Sequence, residues 1–275
     1  MLVLGLTLVS GCRQTDEPNT SGQTLFNGAD LNGWDTWLGP RFLPDGGQDT
    51  DTTGLNMDPD RVFTVVEEDG EPAIRISGQQ FGGISTLSSL SDYHLTLEFK
   101  WGTQKWPPRD KAKRDSGLLY HATGAHGADY GYWMRSQEFQ IQEGDCGDYW
   151  GVAGGGFSIP AKLDVDSVYH YDAAGQAQLF HETSPLGRHC RKHPDAEKPS
   201  GEWNKVDLYC HGDTAVHVMN GITIMVLYGS VQGVHLQELI PLAAGKIQLQ
   251  SEGAEVFYRR LVWNPITYIP ADKLK

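Results

Sequence analysis

The chain has 275 residues, of which 39% are hydrophobic and 21% are charged, and this balance argues against general disorder. Its formal net charge of −13 opposes binding to nucleic acid and to anionic lipid, whereas a neutral ligand such as a sugar is compatible with it. The 33 glycines and the absence of long helical periodicities favour many short strands joined by tight turns.

The chain opens with a short apolar segment, residues 2–9, that is too short to span a bilayer. Small residues and then Cys12 follow this segment. The pattern Val-Ser-Gly-Cys resembles the lipobox of bacterial lipoproteins, in which cleavage before the cysteine leaves it as the lipidated N-terminus. We therefore predict lipidation of Cys12. A buried first strand that ends in a chance Gly-Cys pair is the alternative.

This reading divides the chain into three parts. We predict a lipoprotein signal peptide over residues 1–12, a polar tether over residues 13–22 and one folded domain over residues 23–269. The expected location is the cell envelope, either in the periplasm or at the outer membrane and cell surface. The protein would then contact the membrane only through its lipid anchor.

Alternation and turn signals predict strands in the first half of the domain. Asp69-Gly70 lies between apolar segments at residues 62–66 and 73–76, and this arrangement predicts a hairpin. Residues 93–101 carry apolar side chains at every second position, which is typical of a strand with one buried face.

The C-terminal part shows the same pattern. Asn220-Gly221 is the strongest hairpin signal in the chain. Two long stretches rich in Gly, Pro and charge, residues 35–60 and 144–200, are predicted to be loops. Strands with Gly-rich turns throughout indicate an all-β sandwich. The further strands are predicted at residues 206–210, 216–219, 222–227, 246–250 and 256–263.

Polar side chains recur on the strand faces that the apolar residues leave free. Amides, a carboxylate and a histidine on one sheet face suit a platform that hydrogen-bonds hydroxyl groups. Nearby aromatic side chains could stack on sugar rings, or could belong to the core. The polar residues are Glu138, Gln140, Gln142, His217, Gln248 and Gln250, and the aromatic ones are Tyr120, Tyr130, Tyr132, Trp133 and Trp150.

Three cysteines remain once Cys12 is set aside, namely Cys146, Cys190 and Cys210. In an oxidising compartment one disulfide is possible and one thiol is left over. The spacings fit no zinc pattern, and they do not select a pair.

Taken in order, several segments resemble the 3-keto-disaccharide hydrolase domain family, over about residues 23–266. The family's Glu-aromatic-Gln strand is matched by Glu-Phe-Gln-Ile-Gln-Glu at residues 138–143, and its Asn-Ser-Gly segment by residues 115–117. This chain departs from the family in having Asp115 where Asn is usual and a long insert around Cys190. The matching segments are residues 25–34, 115–121, 138–143, 202–204, 217–221 and 245–250.

The resemblance implies a concanavalin A-like, laminarinase-like jelly roll and an enzyme that acts on 3-keto-disaccharides or related glycans. A ketone at the sugar C3 acidifies the C2 proton, so that a base can remove it and the enolate can expel the C1 oxygen. Addition of water to the resulting glucal then gives net hydrolysis. Such a site needs a base, an acid for the leaving group and donors for the enolate oxygen.

The resemblance also suggests residues for these roles. The expected catalytic pair is Glu138 and His217. Arg135, Lys246 or a divalent metal could stabilise the enolate. A metal held by His121, Glu138 and His217 is an open alternative, and no cofactor is otherwise implied. The expected substrate-binding residues are Ser116, His121, Arg135, Gln140, Glu143 and Gln250.

Two other functions stay open. Laminarinase-like hydrolases use Glu-x-Asp-x-x-Glu, and Glu138-x-Gln140-x-x-Glu143 has this spacing with the central acid replaced by an amide. A noncatalytic glycan-binding module is the third reading. Among single residues, Asp115 could simply initiate a turn, and Glu143 could cap the loop that follows it.

Overall fold

A computed structural model describes residues 22–43 and 47–275 of the chain. The predicted signal peptide, the lipidation of Cys12 and all but the last residue of the predicted tether lie outside the described residues. Within the described ranges, no helix is long and apolar enough to cross a membrane.

The described residues fold almost entirely into strands, with one 3-10 turn at Leu236–Glu238. Numbered in chain order, the strands are β1 (Gln23–Thr24), β2 (Trp34–Phe42), β3 (Gln48–Leu55), β4 (Phe63–Glu68), β5 (Glu71–Ile76), β6 (Gly82–Thr86), β7 (Leu90–Ser91), β8 (Tyr93–Lys105), β9 (Asp115–Thr123), β10 (Arg135–Gln142), β11 (Tyr149–Val152), β12 (Gly155–Leu163), β13 (Tyr169–Tyr171), β14 (Gln176–His181), β15 (His189–Cys190), β16 (Asn204–His211), β17 (Thr214–Met219), β18 (Ile222–Gln232), β19 (Ile240–Pro241), β20 (Ala244–Ser251) and β21 (Ala254–Pro265).

The strands form two antiparallel sheets that pack face to face. The first sheet has the order β13-β12-β18-β17-β16-β8-β21-β5-β4, and β1, β14 and β19 pair along its strands. The second sheet has the order β15-β11-β10-β9-β20-β6-β2-β3, with β7 paired to β20. The described residues form an all-β sandwich of two antiparallel sheets, which confirms the fold class predicted from the sequence.

The main hydrophobic core lies between the two sheets, where side chains alternate in and out along each strand. Leu95, Leu97 and Phe99 of β8 are buried in it, which confirms the predicted alternation of that strand. Both hairpins are also confirmed. Asn220 and Gly221 have φ angles of 50° and 85°, the left-handed geometry that a two-residue hairpin turn requires.

The two long stretches predicted as loops contain strands. Residues 35–60 include most of β2 and all of β3, and residues 144–200 include β11 to β15. Strand β3 is mostly exposed and carries five Asp or Thr residues in a row, so it has no apolar alternation to reveal it. Its order comes from pairing with β2, which local sequence does not show.

The three cysteines are buried and unpaired with one another. Cys146, Cys190 and Cys210 are free thiols in the structure of residues 22–43 and 47–275. The disulfide that the sequence left open is thus not formed among them.

Candidate active site

A pocket of about 200 Å³ opens on the outer face of the second sheet, the face turned away from the first sheet. Strands β10, β9 and β20 lie side by side beneath it. Phe139 of β10 and Leu249 of β20 point into the core, so Glu138 and Gln250 next to them point outward into the pocket. The alternation of these strands therefore gives one apolar face and one polar face.

A glycine in the central strand lets two of these side chains meet. A Cβ atom on Gly117 would lie 2.1 Å from Oε1 of Glu138 and 2.4 Å from Oε1 of Gln250. Gly117 is paired with Gln140 across the β9–β10 ladder, and Gln140 also lines the pocket. Glycine at this position thus clears the floor of the pocket for Glu138 and Gln250.

Burial favours the neutral form of Glu138. It raises the pKa of the Glu138 carboxyl well above its usual range, and the nearby Asp115 raises it further. Arg188 and the amide of Gln250 act in the opposite direction. Because burial dominates, the protonated form is favoured, which suits a proton donor.

A second carboxyl in the pocket, Asp115, has a different environment. One of its oxygens, Oδ2, contacts the guanidinium of Arg109 and the amide of Gln142. Among the described residues, the other oxygen, Oδ1, has no hydrogen-bond partner. Burial raises the pKa of Asp115 to about 7, with Arg109 opposing this rise.

A third carboxyl, Glu252, follows directly after β20. The guanidinium of Arg109 lies 3.3 Å from its carboxylate and so connects Glu252 to Asp115. Burial raises the pKa of Glu252 well above its usual range, and the Asp115 charge adds to the effect. The pocket therefore holds several carboxyls but only limited positive charge, which favours protonation of some of them.

The other side of the pocket is closed by an ion pair and two indole rings. Arg188 lies 3.2 Å from the carboxylate of Asp129, and its guanidinium lies 5.7 Å from the ring centre of Trp150. Trp150 is stacked on His189 at 4.4 Å, and Nε2 of His189 lies 2.8 Å from Oδ2 of Asp148. Strand β15 therefore helps to fix the Trp150 ring, which together with Trp133 offers flat apolar surface to a ligand.

Comparison with known proteins assigns the family. A sequence profile of the 3-keto-alpha-glucoside-1,2-lyase-like domain matches residues 21–263. The chain belongs to this family. The resemblance seen in the sequence is confirmed, and a role connected with carbohydrates follows from it. No curated protein matches the chain significantly.

Solved structures give more distant similarities to the lyase-like domain. A candidate glycosyl hydrolase from Parabacteroides distasonis is 17% identical, with 92% of this chain and 98% of that chain covered and a TM-score of 0.48. A carbohydrate-binding module from Bacillus subtilis is 9% identical, with 74% and 91% covered and a TM-score of 0.43. A Bacillus subtilis protein of unknown function with a galectin-like fold is 10% identical, with 84% and 89% covered and a TM-score of 0.38.

His217 does not lie beside Glu138, so the structure does not bring the predicted catalytic pair together. His217 lies on β17 of the first sheet and is fully buried between the sheets. Its ring nitrogens contact the hydroxyl of Tyr120 at 3.0 Å and the carbonyl oxygen of Gly147 at 3.2 Å. Burial lowers the pKa of His217 to about 3. It is a core histidine with both ring nitrogens in use.

Ser116 and His121 are also turned away from the pocket of the lyase-like domain. Ser116 faces the core, where its hydroxyl donates to the carbonyl oxygen of Gln250 and contacts the hydroxyl of Tyr258, both at 2.7 Å. His121 is buried against Tyr93 and Tyr120, and burial lowers its pKa to about 4. Ser116 lies behind the sheet because it alternates in phase with the core residues Leu118 and Tyr120. His121 has a left-handed backbone, with a φ angle of 52°, which breaks the alternation and leaves its side chain on the same inner side.

Three further predicted residues lie outside the pocket. The carboxylate of Glu143 is 3.0 Å from Arg114, which lowers its pKa against the opposing effect of burial. Arg135 donates from Nε to the carbonyl oxygen of Ala153 at 2.6 Å and lines a neighbouring cavity. Lys246 pairs instead with Asp35, at 3.3 Å. The residues named from the sequence that do line the pocket are Glu138, Gln140, Gln142, Gln250, Trp133 and Trp150.

Several pocket residues of the lyase-like domain were not found from the sequence. Asp115 is the first residue of strand β9 and is buried, so it does not merely initiate a turn. The sequence offered one indication that Asp115 is functional, namely that it stands where Asn is usual in the family. The other pocket residues that the sequence did not indicate lie in segments without alternation, where no motif suggests a function. They are Arg109, Asp129, Arg188 and Glu252.

The donor set for a metal is not assembled as the sequence suggested. His121 and His217 lie behind the sheet that carries Glu138, so the three cannot share one ion. In the part of the lyase-like domain that the structure describes, no group of three His, Cys, Asp or Glu side chains is arranged to hold a metal. We derive no step through a metal.

Proposed function

We propose that this protein cleaves 3-keto-glycosides in the pocket above β9, β10 and β20, by proton abstraction at C2, elimination and rehydration. The observation that carries the proposal is the contrast between two carboxyls in one pocket. Burial raises the pKa of Glu138 well above its usual range, whereas Asp115 has a pKa of about 7, an ion pair with Arg109 and one oxygen without a partner among the described residues. Two carboxyls in different surroundings suit the roles of acid and base at one site.

Proton abstraction is assigned to Asp115, which stands where Asn is usual in the family, so this base would be a feature of this chain and not of the family's usual pattern. Arg109 and Gln142 hold its Oδ2, so Oδ1 is the oxygen that can accept the C2 proton of the keto sugar. The electron pair of the C2–H bond moves toward the C3 carbonyl and forms an enolate. The guanidinium groups of Arg109 and Arg188 are the positive charges of the pocket that can stabilise the enolate oxygen.

Departure of the leaving group is assigned to Glu138. Collapse of the enolate forms the C1–C2 double bond and breaks the C1–O bond. The Glu138 carboxyl gives its proton to the departing oxygen and becomes a carboxylate. The amides of Gln140 and Gln250 are placed to bind sugar hydroxyls, since both lie on the pocket floor beside Glu138.

Rehydration reverses these proton movements. Water adds at C1 of the unsaturated sugar and gives a proton to the Glu138 carboxylate, while protonated Asp115 returns a proton to C2. Both carboxyls are then in their starting forms, and the net reaction is hydrolysis of the glycosidic bond. No oxocarbenium ion is needed.

The laminarinase-like alternative is weakened by one contact. In that reading Glu143 would be the second carboxylate, but it lies in an ion pair with Arg114 outside the pocket. The noncatalytic binding module differs in a simpler way, because it predicts that no sugar is consumed.

The decisive experiment compares oxidised with unoxidised sugars. Purified protein is incubated with trehalose or sucrose and with their 3-keto derivatives, each with and without chelator. We expect consumption of the keto sugars alone, in both conditions. Turnover of the unoxidised sugars would favour an ordinary glycoside hydrolase, and binding without turnover would favour a binding module. Loss of activity with chelator would contradict the metal-free steps proposed above.

We also propose that the protein is exported and anchored through Cys12. The support is the lipobox-like segment Val-Ser-Gly-Cys at residues 9–12. Cells that express the full chain should incorporate labelled palmitate into it, and the membrane fraction should contain it. The Cys12→Ala variant should lose both properties, and equal labelling of the two proteins would contradict the proposal.

A further inference from the structure

The main pocket is small for a disaccharide. Its volume of about 200 Å³ is below the range of about 300–1,000 Å³ that ligand clefts usually have. The pocket is thus smaller than is usual for a ligand with two rings, and a second ring would extend past its wall.

A second cavity adjoins the first at the Arg188–Asp129 ion pair. Its volume is about 350 Å³, and both Arg188 and Asp129 line both cavities. On its far side it is lined by Tyr130, Arg135 and Glu182. The ion pair is thus a shared boundary between the two cavities.

Tyr130 is unusual in two respects. The residue is 77% exposed, and its backbone has a φ angle of 49°, which is uncommon for a bulky side chain. The turn around it is fixed by two backbone hydrogen bonds, from Tyr132 to Asp129 at 2.8 Å and from Asp129 to Trp133 at 3.0 Å. The turn therefore presents the Tyr130 ring to solvent while Trp133 lines the main pocket.

The same turn places the Tyr130 ring close to Arg188, at the boundary between the two cavities. The guanidinium of Arg188 lies 5.9 Å from the ring centre of Tyr130 and 5.7 Å from that of Trp150. One arginine thus contacts an aromatic ring on each side of the boundary. Aromatic faces of this kind can pack against the C–H face of a pyranose ring.

Polar groups for hydroxyl binding lie beside Tyr130. The guanidinium of Arg135 is oriented by its hydrogen bond to the carbonyl oxygen of Ala153, at 2.6 Å. Glu182 is an exposed carboxylate that follows β14. One aromatic ring with a fixed cation and a carboxylate is a suitable set of contacts for a neutral sugar, which presents both apolar and hydroxyl surface.

We propose that the cavity lined by Tyr130, Arg135 and Glu182 binds the leaving-group sugar of a disaccharide substrate. The keto ring then occupies the main pocket, and the glycosidic bond crosses the Arg188–Asp129 boundary. This assignment rests on the proposed function, because it divides a 3-keto-disaccharide between the two cavities. Glu138 lines the same pocket as the boundary pair, as an acid for the leaving oxygen must.

The test varies the leaving group while the keto ring stays the same. Wild type, Tyr130→Ala and Tyr268→Ala are compared on a 3-keto-disaccharide and on methyl 3-ketoglucoside. Tyr268 is the matched control, since it is a 69% exposed tyrosine that lines neither cavity. For Tyr130→Ala we expect KM for the disaccharide to rise about tenfold, and KM for the methyl glycoside to rise by less than about threefold. Tyr268→Ala should match the wild type on both.

A binding measurement separates failure of this subsite from failure of the proposed function. Unoxidised trehalose is titrated into the wild type and Tyr130→Ala, with ligand-detected NMR as the readout. Weaker binding to the variant supports the subsite even if no keto sugar is turned over, in which case only the proposed function fails. Equal binding to the two proteins, or equal changes in KM for the two keto substrates, would overturn the subsite.

Discussion

Both faces of the second sheet carry buried polar side chains, and Gln137 on the core face and Asp115 on the outer face differ in how their polar atoms are satisfied. On the core face, the amide of Gln137 donates to Gly156, Ser230 and Val231 and accepts from the hydroxyl of Tyr149. On the outer face, Oδ1 of Asp115 and Oε1 of Gln250 have no hydrogen-bond partner within the described parts of the chain.

The difference between these polar groups is whether a ligand can reach them. A buried polar atom without a partner costs about 1–3 kcal/mol, and one that lines an open pocket can be satisfied by a ligand. On the inner side, Gln137 and Ser116 of the second sheet and His217 of the first sheet join the two sheets. The ring nitrogens of His121, also on the inner side, have no hydrogen-bond partner among the described residues.

The largest effect is expected at the acid on the outer face. Glu138→Gln should lower kcat for a 3-keto-disaccharide by about 10²–10⁴-fold, because the amide has no proton to give. The unfolding temperature should not fall, since burial disfavours the charged form of this carboxyl and the amide is neutral. Glu143→Gln, which changes a carboxylate outside the pocket, is the control and should retain full activity. Full activity of Glu138→Gln would remove the assignment.

The next largest effect on activity is expected at Asp115, the proposed base. Asp115 must be ionised to accept a proton, and its pKa is about 7. Activity should therefore fall as the pH drops through about 7, approaching tenfold for each further pH unit. Measurements of kcat/KM between about pH 5 and 8, the range in which a group with this pKa titrates, test the expected fall in activity. Asp115→Asn should abolish most of the activity. A variant with wild-type activity would show that the base lies elsewhere.

A smaller effect is expected at Gly117, whose missing side chain leaves space for the carboxyl of Glu138. Gly117→Ala would bring a methyl group to 2.1 Å from Oε1 of Glu138, so Glu138 and Gln250 must move. The contacted atoms of Glu138 and Gln250 are the ends of flexible side chains beside an open pocket, so the shift should cost little unfolding free energy. Chemical denaturation should therefore show little change, whereas kcat/KM should fall because the acid is displaced. Unchanged activity would mean that the Glu138 position tolerates displacement.

The smallest effect on activity is expected on the core face. His217→Leu leaves the Tyr120 hydroxyl and the Gly147 carbonyl without a partner, at a cost of about 1–3 kcal/mol of unfolding free energy. Turnover at a temperature where the variant stays folded should be unchanged. A loss of kcat comparable with that of Glu138→Gln would restore His217 to the catalytic pair.

The pH dependence of stability provides a second measurement on His217. Its folded pKa of about 3 lies below the unfolded value of about 6.5, so the unfolded chain binds the proton first as the pH falls. The stability contributed by neutral His217 is complete above about pH 6.5 and decreases by about 1.4 kcal/mol per unit toward pH 3. The slope should be smaller in His217→Leu, where His121 still titrates in the same direction.

Some parts of the site followed from the sequence and others did not. Glu138 and Gln140 belong to one alternating strand, so their common face was predictable from the period of two. His217 also alternates with apolar neighbours, but its strand belongs to the other sheet and its face is the inner one. Local sequence does not say which sheet a strand joins, and a buried face can accept a histidine when partners are available.

What the sequence by itself determined is the all-β class, the hairpins at Asp69-Gly70 and Asn220-Gly221, and the strand that carries Glu138. These depend on alternation and on turns that require positive φ, which are local properties. Only the tertiary structure decided that Asp115 and Arg109 join Glu138, because they come from separate segments that meet only when β9, β10 and β20 align. Their pKa values follow from that burial, which no stretch of sequence contains on its own.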